Sequence, residues 1–418
     1  MPADSRRIIF LGGWLMAGIQ KIAILPGDGI GPEVTDATLA VLDTLRTHCA
    51  LPLQWQVLPW PSTDWHRQHG AMMPDDALMQ LQSFDALLLG ALGDPGPASD
   101  QARYCLPDAV SLAPLLTLRK QFDLWACERP ARWQPGATCY LSDPRARDVD
   151  MLVIRENSEG EYVSQGGRLR AGQPDEVATQ LEVFTRRATE RLIRHAFVRA
   201  RQRMAQRQQE DRARTFTNAA GASHAARVCL ITKRNAQPFW GELYSEVFAD
   251  IAAAYPDIGT HHELVDAACM KFVQCPWHFD VVVASNLHGD ILTDLAAVLC
   301  GGPGIAPSCN INPDRRDLPP LFEPTHGSAP DIAGNDIADP RATLLSAAML
   351  LDWLGEQDTL FSEAAHHLRA AVGHDLAHHA DTVRGTRRIA HDIRDALLAT
   401  PHPAAKRPAP PALTGDSQ

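Results

Sequence analysis

Two aspartates on one predicted helix face carry the clearest chemical signal in this sequence. The β-branched run 279–284 predicts a buried strand. Gly289 is expected to form a tight turn after it, and the apolar spacing over 290–299 predicts a helix. Asp290 and Asp294 are four residues apart, so both carboxylates project from one face and repel each other. A divalent cation with oxygen ligands at about 2.1 Å would relieve that repulsion. The alternative is a helix N-terminus that simply favours Asp.

Three arginines are candidates for binding an anionic substrate. Arg119 and Arg129 flank the segment 120–128, and Arg155 closes the predicted strand 151–155. Open α/β sheets place their ligands at strand ends, where an arginine can bind a carboxylate bidentately. Each arginine alone would be explained by a surface ion pair. Together with the acidic pair, they predict an anionic substrate bridged to a metal.

A tyrosine and a lysine at predicted strand ends are candidates for proton transfer. Tyr162 follows a glycine-containing turn after Arg155, and Lys233 follows the apolar strand 228–232. Such a pair can serve as acid and base if neighbouring charges shift their pKa values. A tyrosine that packs in the core and a lysine that is solvated are the alternatives.

A long loop of small residues, 323–334, precedes a predicted helix over 341–354. Such a loop lets the backbone and Asp331 approach a ligand closely. An aspartate there can accept hydrogen bonds from both ribose hydroxyls of adenosine, and it repels a 2′-phosphate. The loop therefore predicts NAD rather than NADP.

The glycine-rich turn 26–33 follows the first predicted strand and opens a helix. Its spacing is not G-x-G-x-x-G, so it does not predict a Rossmann fold. We expect a turn that lies against a bound cofactor.

Strand patterns alternate with helical patterns along the chain, which predicts an α/β fold with a largely parallel sheet. The 418 residues are too many for one ordinary core and suggest two domains or lobes. The predicted strands are 21–25, 53–58, 85–90, 151–155, 228–232, 262–265 and 280–285. The predicted helices are 31–47, 75–82, 111–122, 180–203, 236–254, 290–299, 341–354 and 361–372.

Composition excludes several classes of protein. A net charge of −11 argues against a nucleic-acid binder, and no apolar run approaches the length of a membrane span. The nine cysteines include no C-x-x-C pair, so we expect reduced thiols and a cytoplasmic location. Residues 1–15 are expected to be a loose extension, and the stretch 401–418, rich in Pro and Ala, a disordered tail.

From about residue 21 to 354, the sequence resembles the isocitrate/isopropylmalate dehydrogenase family of β-decarboxylating dehydrogenases. The motifs that carry this resemblance are L-P-G-D-G-I-G-P-E, L-R-K…E-R-P, R-E-N-S-E-G-E-Y, V-D-A, S-N-L-H-G-D-I-L-T-D and E-P-T-H-G-S-A-P-D-I-A-G. The resemblance implies a two-lobed fold with a large twisted, mostly parallel sheet that is not a Rossmann fold. It also implies a homodimer or higher homo-oligomer and a small dicarboxylate substrate.

The resemblance assigns the catalytic roles by position. Tyr162 is implied as the general acid and Lys233 as the group that accepts the hydroxyl proton. Asp290 and Asp294 are implied as ligands of Mg²⁺ or Mn²⁺, with Asp266 completing the site from a second subunit; K⁺ is a further candidate ion. The implied reaction is hydride transfer from C2 to NAD, followed by loss of CO₂ and protonation by Tyr162.

The remaining implied roles concern binding. Substrate binding is implied for Arg119, Arg129 and Arg155. Cofactor binding is implied for Glu323, His326, Gly327, Ser328, Ala329, Pro330, Asp331 and Asp339.

Local motifs are most like the tartrate/D-malate branch, which implies D-malate or tartrate as substrate. The alternatives are 3-isopropylmalate, which an apolar wall in the segment 108–117 would favour, and an inactive binding paralogue. Asp339 stands where the family usually has Asn, the pair 335–336 replaces a usual Lys-containing pair, and Arg234 replaces a small residue. We expect the first two differences to affect cofactor affinity.

The predicted division of the chain has five parts. These are an N-terminal extension at 1–18, a large domain at 19–124 and 301–395, a small dimerisation domain at 125–300, and a disordered tail at 396–418.

Overall fold

The computed structural model describes residues 9–11, 14–16, 18–94, 106–218, 221–380 and 382–400. Within these ranges the strands are β1 Ile9–Leu11, β2 Trp14–Met16, β3 Gln20–Gly27, β4 Leu53–Val57, β5 Ala86–Ala91, β6 Ala126–Arg132, β7 Asp150–Glu156, β8 Gly166–Leu169, β9 Val177–Gln180, β10 Phe216–Thr217, β11 Ser223–His224, β12 Arg227–Thr232, β13 Gly259–Leu264, β14 Val281–Ala284, β15 Pro307–Ile311 and β16 Leu321–Pro324. The α-helices are α1 Gly31–His48, α2 Thr63–His69, α3 Ala77–Leu81, α4 Asp108–Ser111, α5 Ala113–Gln121, α6 Arg186–Gln209, α7 Pro238–Ala252, α8 Val265–Gln274, α9 Asn286–Leu299, α10 Arg341–Gly355, α11 Thr359–His378 and α12 Thr386–Ala399.

A ten-stranded sheet organises the molecule, in the order β13-β12-β14-β7-β6-β15-β16-β5-β3-β4. Neighbours are parallel except at β7–β6, β6–β15 and β15–β16. The predicted α/β class with a mostly parallel sheet is therefore confirmed. One half of the sheet, from β13 to β6, comes from the stretch predicted as the small domain, and the other half from the stretches predicted as the large domain. The boundaries themselves stay a prediction.

The core strands are buried because helices cover both sheet faces, as parallel sheets require. Every residue of β5, β14 and β16 is buried, and β5 and β14 read as continuous apolar runs. The main core cluster joins α1, α6, α10 and α11 to the sheet. Such burial, rather than helix or strand propensity alone, decides where these elements form.

The structure departs from the sequence predictions in several places. Strands β6, β15 and β16 and helix α12 were not predicted, because Pro or polar residues interrupt their apolar patterns. The helix predicted over 180–203 instead spans 186–209, because the Thr185 hydroxyl caps it. Of the residues before it, Gln180 ends strand β9 and Val183 pairs with Gly160.

The two ends of the chain also differ from prediction. In the stretch predicted as a loose extension, β1 and β2 pair as an antiparallel hairpin. At the other end, α12 continues to Ala399, so 396–399 is helical rather than part of a tail. The predicted tail over 401–418 lies outside the described residues. In the part of the chain that is described, no helix is long and apolar enough to cross a membrane.

Candidate active site

The predicted catalytic and metal-binding residues lie at the carboxyl ends of four neighbouring parallel strands. Strands β13, β12, β14 and β7 all run in one direction, with Ala284 of β14 paired to Arg155 of β7. Lys233 directly follows β12, and Asp266 lies in the first turn of the helix after β13. This is the edge at which open parallel sheets bind ligands.

Helix α9, which carries both aspartates of the predicted metal pair, begins earlier than predicted. The Ser285 hydroxyl caps it, and the Glu161 carboxylate accepts hydrogen bonds from Ser285 Oγ at 2.6 Å and Leu287 N at 3.0 Å. Gly289 therefore lies inside the helix, and the predicted tight turn there is wrong. A Cβ on Gly289 would lie 2.8 Å from Cβ and Cγ of Arg155, so glycine is required for the close approach of α9 to β7.

Asp290 is the centre of the cluster at the start of α9. One carboxylate oxygen accepts hydrogen bonds from Arg129 Nη1 at 3.1 Å and from Arg155 Nη1, and the other accepts one from Tyr162 Oη at 2.8 Å. Burial opposes ionisation of Asp290, but Arg155, Arg129 and Tyr162 outweigh it and hold its pKa below the ordinary value. Two arginines thus already offset the charge of Asp290, which the spacing of the two aspartates did not indicate.

The pKa values of Asp294 and Tyr162 are raised, whereas that of Asp290 is lowered. Burial and then the neighbouring charge of Asp290 raise the pKa of Asp294. Burial, followed by the charge and hydrogen bond of Asp290, raises the pKa of the Tyr162 phenol. Tyr162 is therefore held in its protonated form, as a proton donor must be.

Polar groups that the sequence analysis did not single out position the arginines. Asn286 Oδ1 accepts hydrogen bonds from Arg155 Nε at 3.0 Å and Nη2 at 2.8 Å. Thr293 Oγ1 accepts one from Arg129 Nη1 at 2.6 Å. Both groups lie on α9 near Asp290, so a helical wheel of this segment would have identified them.

Arg119 reaches the site from helix α5 and is bound by Glu323. Their side chains lie 2.9 Å apart and both are buried. Glu323 was expected among the cofactor-binding residues on the basis of family resemblance. The structure places its carboxylate on a substrate-type arginine, and its role toward the cofactor stays a prediction.

Lys233 and Asp266 form a separate pair. Lys233 Nζ lies 2.8 Å from Asp266 Oδ1, and the Asp266 side chain is 60% exposed. Within the described ranges, Asp266, Asp290 and Asp294 do not converge closely enough to share one ion. In a single chain, Lys233 is therefore paired with Asp266, whereas Tyr162 is paired with Asp290.

The predicted cofactor loop packs against the glycine-rich turn after β3. Ile30 N donates to Ser328 O at 2.7 Å, and a Cβ on Gly29, whose φ is +58°, would lie 1.9 Å from that oxygen. His326 Nδ1 lies 3.0 Å from Gly327 O, while its buried Nε2 has no partner among the described residues. Burial lowers the pKa of His326, which favours the neutral ring.

The rest of the loop ends at helix α10. Gly327 and Asp331 are exposed, and Ala329 and Pro330 are partly exposed beside them. The Asp339 carboxylate accepts hydrogen bonds from Arg341 N at 2.9 Å and Arg341 Nη1 at 2.7 Å. Burial raises the pKa of Asp339 despite this arginine.

Comparison with known proteins defines the class. Residues 21–388 match the isocitrate/isopropylmalate dehydrogenase family, and the chain belongs to that family. It is an oxidative, decarboxylating dehydrogenase that acts on a small-molecule substrate. Family members use NAD or NADP together with Mg²⁺ or Mn²⁺.

Particular relatives narrow the comparison. The chain is 41% identical to the D-malate dehydrogenase [decarboxylating] of Escherichia coli (strain K12), over 87% of this chain and 93% of the relative. It is also 41% identical to the 3-isopropylmalate dehydrogenase of Thermobifida fusca (strain YX), over 91% and 98%. Identity to the tartrate dehydrogenase/decarboxylase of Pseudomonas putida is 38%, over 85% and 90%. The crystal structure of isocitrate dehydrogenase from Methylococcus capsulatus superposes with a TM-score of 0.72 at 32% identity, over 90% of this chain and 99% of that one.

Proposed function

We propose that the enzyme oxidises and decarboxylates a 2-hydroxy dicarboxylate, D-malate or tartrate, with NAD and a divalent cation. The observation that carries the proposal is the cluster at Asp290, where Arg129, Arg155 and Tyr162 all bind one carboxylate that stands beside Asp294. A protonated phenol, two arginines and two carboxylates at one sheet edge supply a proton donor, substrate anchors and oxygen ligands together.

The arginines fit a substrate carboxylate. Arg119 Nε and Arg129 Nε are buried and have no hydrogen-bond partner among the described residues. Leaving such donors unsatisfied costs free energy, which a bound carboxylate would recover through bidentate contacts. In the proposed reaction the arginines hold the distal carboxylate and fix the orientation of the hydroxyl-bearing carbon.

The proton steps are assigned to Lys233 and Tyr162. Lys233 would accept the proton of the substrate hydroxyl, directly or through water. NAD, when bound, would supply the acceptor for the hydride of C2. Tyr162 Oη then delivers its proton to the carbon from which CO₂ has left. The raised pKa of Tyr162 keeps that proton in place until the carbanion forms.

The residues present fit a divalent cation. Asp290 and Asp294 present hard oxygen donors on one helix face, where burial and then the charge of Asp290 raise the pKa of Asp294. The exposed Asp266 would be the third ligand. When bound, Mg²⁺ or Mn²⁺ supplies Lewis-acid polarisation of the substrate hydroxyl and its adjacent carboxylate.

A second copy of the chain would bring Asp266 to that position. Helix α8 carries Asp266, helix α9 carries Asp290, and both helices expose large apolar side chains: Met270, Val273, Leu287, Ile291 and Val298. An apolar face of this kind on adjacent helices favours a buried helix–helix interface. We propose a homodimer in which Lys233 and Asp266 of one copy complete the Asp290 site of the other.

The cofactor is proposed to be NAD, held by the loop from His326 to Asp339. The exposed Asp331 is accessible to ribose hydroxyls, and its charge opposes a 2′-phosphate. The neutral His326 leaves its buried Nε2 available for a hydrogen bond to the cofactor. The eight cysteines in the described part are unpaired, in keeping with a proposed cytoplasmic location.

3-Isopropylmalate is the second candidate substrate, because relatives of both kinds are equally identical. The segment 108–117 argues against it. Its apolar residues Val110, Leu112 and Leu115 pack against the core, whereas the Ser111 hydroxyl is buried with no partner among the described residues. With these three apolar side chains packed on the core, we propose a polar group rather than an isopropyl group at this part of the substrate.

A panel of 2-hydroxy acids tests the proposal. D-malate, tartrate, isocitrate and 3-isopropylmalate would be assayed with NAD and Mn²⁺, and kcat/KM compared. We expect the highest value for D-malate or tartrate. A higher value for 3-isopropylmalate would overturn the proposed substrate and leave the class of enzyme unchanged.

A further inference from the structure

A chain of buried polar side chains joins Arg119 to the end of strand β7. Arg119 Nη2 donates to Glu323 Oε1 at 2.9 Å, Asn310 Nδ2 donates to the same oxygen at 2.8 Å, and Asn157 Nδ2 donates to Asn310 Oδ1 at 3.0 Å. All four side chains are at most 7% exposed by residue, and Asn310 is fully buried. This row of hydrogen-bonded side chains runs from α5 and β16, through β15, to the residue after β7.

The direction of these hydrogen bonds is fixed at both ends. Asn157 Nδ2 also donates to Leu124 O at 2.8 Å, which is an obligate acceptor, so the Asn157 amide cannot be flipped without losing that bond. At the other end, the Glu323 carboxylate can only accept from Asn310 and Arg119 while it is ionised. Asn310 is therefore the link that must accept from Asn157 and donate to Glu323.

Asn310 and Arg119 share one hydrogen-bond acceptor. One carboxylate oxygen, Glu323 Oε1, receives both the Arg119 and the Asn310 hydrogen bonds. Without Asn310, the carboxylate of Glu323 would lose the donor that opposes Arg119 and could rotate with it. The guanidinium of Arg119 would then change its orientation. Its buried Nε, which has no partner among the described residues, would no longer be held in place to donate to a ligand.

We propose that Asn310 is a positioning residue for substrate binding: through Glu323 it holds Arg119 in the orientation that receives the substrate carboxylate. This inference rests on the proposed function, because Arg119 must bind the dicarboxylate for its orientation to matter. Glu323 then serves substrate binding, and it does so through Arg119.

Asn312 provides a matched control. It lies two residues from Asn310, is similarly buried at 3%, and bonds instead to Trp125 Nε1 and Asp123 Oδ2, each at 3.0 Å. Asn310→Ala and Asn312→Ala therefore remove the same side chain from comparable surroundings, but only the first touches Glu323.

Steady-state kinetics on the full-length enzyme with D-malate or tartrate, NAD and Mn²⁺ test the proposal. We expect Asn310→Ala to raise KM for the dicarboxylate roughly tenfold, with kcat changed less than about threefold and KM for NAD unchanged. Asn312→Ala should leave all three values near wild type. Glu323→Gln, which keeps an oxygen acceptor for both donors, should raise the dicarboxylate KM less than Asn310→Ala does.

An unchanged dicarboxylate KM in Asn310→Ala, or an equal rise in both KM values, would overturn the proposal. If Asn310→Ala does not fold, the nearly isosteric Asn310→Asp is used. Its carboxyl group would face Glu323, so the dicarboxylate KM should be high at pH 8 and fall toward wild type as the pH is lowered and the pair gains a proton. A KM ratio to wild type that does not vary with pH would overturn the proposal. Absence of turnover by the wild-type enzyme with every acid would instead refute the proposed function.

Discussion

Lys233 Nζ lies 2.8 Å from Asp266 Oδ1 in the same chain, while Asp290 is bound by Arg129, Arg155 and Tyr162. The lysine and the exposed aspartate are thus held together as one unit, apart from the cluster on α9. If a second copy supplies Asp266 to a site, it must supply Lys233 to that same site.

This pairing makes a prediction for mixed dimers. In a heterodimer of Asp266→Asn and Asp290→Asn subunits, one of the two sites receives only wild-type residues. An equal mixture should therefore recover about a quarter of wild-type activity per subunit. A mixture of Asp266→Asn and Lys233→Met should recover nothing, because each site then carries one defect. Activity in the second mixture would show that Lys233 acts in its own subunit's site.

Tyr162→Phe should uncouple oxidation from product formation. The phenol is the proposed proton donor after CO₂ loss, and hydride transfer does not use its proton. In a single turnover with D-malate, the variant should form NADH faster than it forms pyruvate. If both appear at the wild-type rate, Tyr162 has a packing role and another group is the acid.

Removal of divalent cations should abolish turnover. EDTA treatment followed by gel filtration should leave no activity, and Mn²⁺ should restore it. Asp294→Asn should lower kcat/KM by roughly a hundredfold or more, because Asp294 is the carboxylate whose charge the arginines offset least. Undiminished turnover in the metal-free enzyme would contradict the assignment.

Cofactor preference should depend on Asp331. The wild type should favour NAD over NADP, and Asp331→Asn should narrow the ratio of the two kcat/KM values by roughly tenfold or more, because it removes the charge that opposes a 2′-phosphate. Asp43→Asn is the control, since Asp43 is an exposed aspartate on α1, outside this loop, and forms an ion pair with Arg46. A similar change of the ratio in both variants would contradict a specific role for Asp331.

A buried ion pair away from the site should make stability depend on pH. Burial opposes ionisation of Glu128, but Arg199 at 2.9 Å and His195 at 2.7 Å outweigh it and lower its pKa to about 2. The depressed pKa stabilises the fold above pH 4.5 by about 3 kcal/mol, and this contribution is lost as the pH falls from 4.5 to about 2. The difference in unfolding free energy between wild type and Glu128→Gln, measured with urea, should shrink over that range. A difference that stays constant would contradict this assignment.

The sequence predicts the parts of the site that depend on local pattern. Asp290 and Asp294 share a helix face because they are four residues apart, and Arg155 and Lys233 lie at strand ends because parallel strands share a carboxyl edge. The sequence does not reveal the partners of these groups. Asp290 meets Arg129 and Arg155 from positions more than 130 residues away, and only the folded sheet brings them together.

The predictions for Gly289 and for strand β15 failed for the same reason, because the local sequence does not show distant partners. Gly289 suggests a turn when the sequence is considered locally, but it lies within a helix because Ser285 and the distant Glu161 cap an earlier start. The polar residue Asn310 interrupts an apolar pattern, so β15 was not predicted. Its burial makes sense only once Glu323 and Asn157 are known to bond to it.

The most direct test of the proposed reaction is the product stoichiometry with D-malate, NAD and Mn²⁺. NADH would be followed by absorbance, pyruvate by an end-point assay, and CO₂ from substrate labelled at the carboxyl group adjacent to C3. We expect equal amounts of all three products, with no NADH formed when either NAD or the cation is omitted. NADH without CO₂, accompanied by accumulating oxaloacetate, would contradict it.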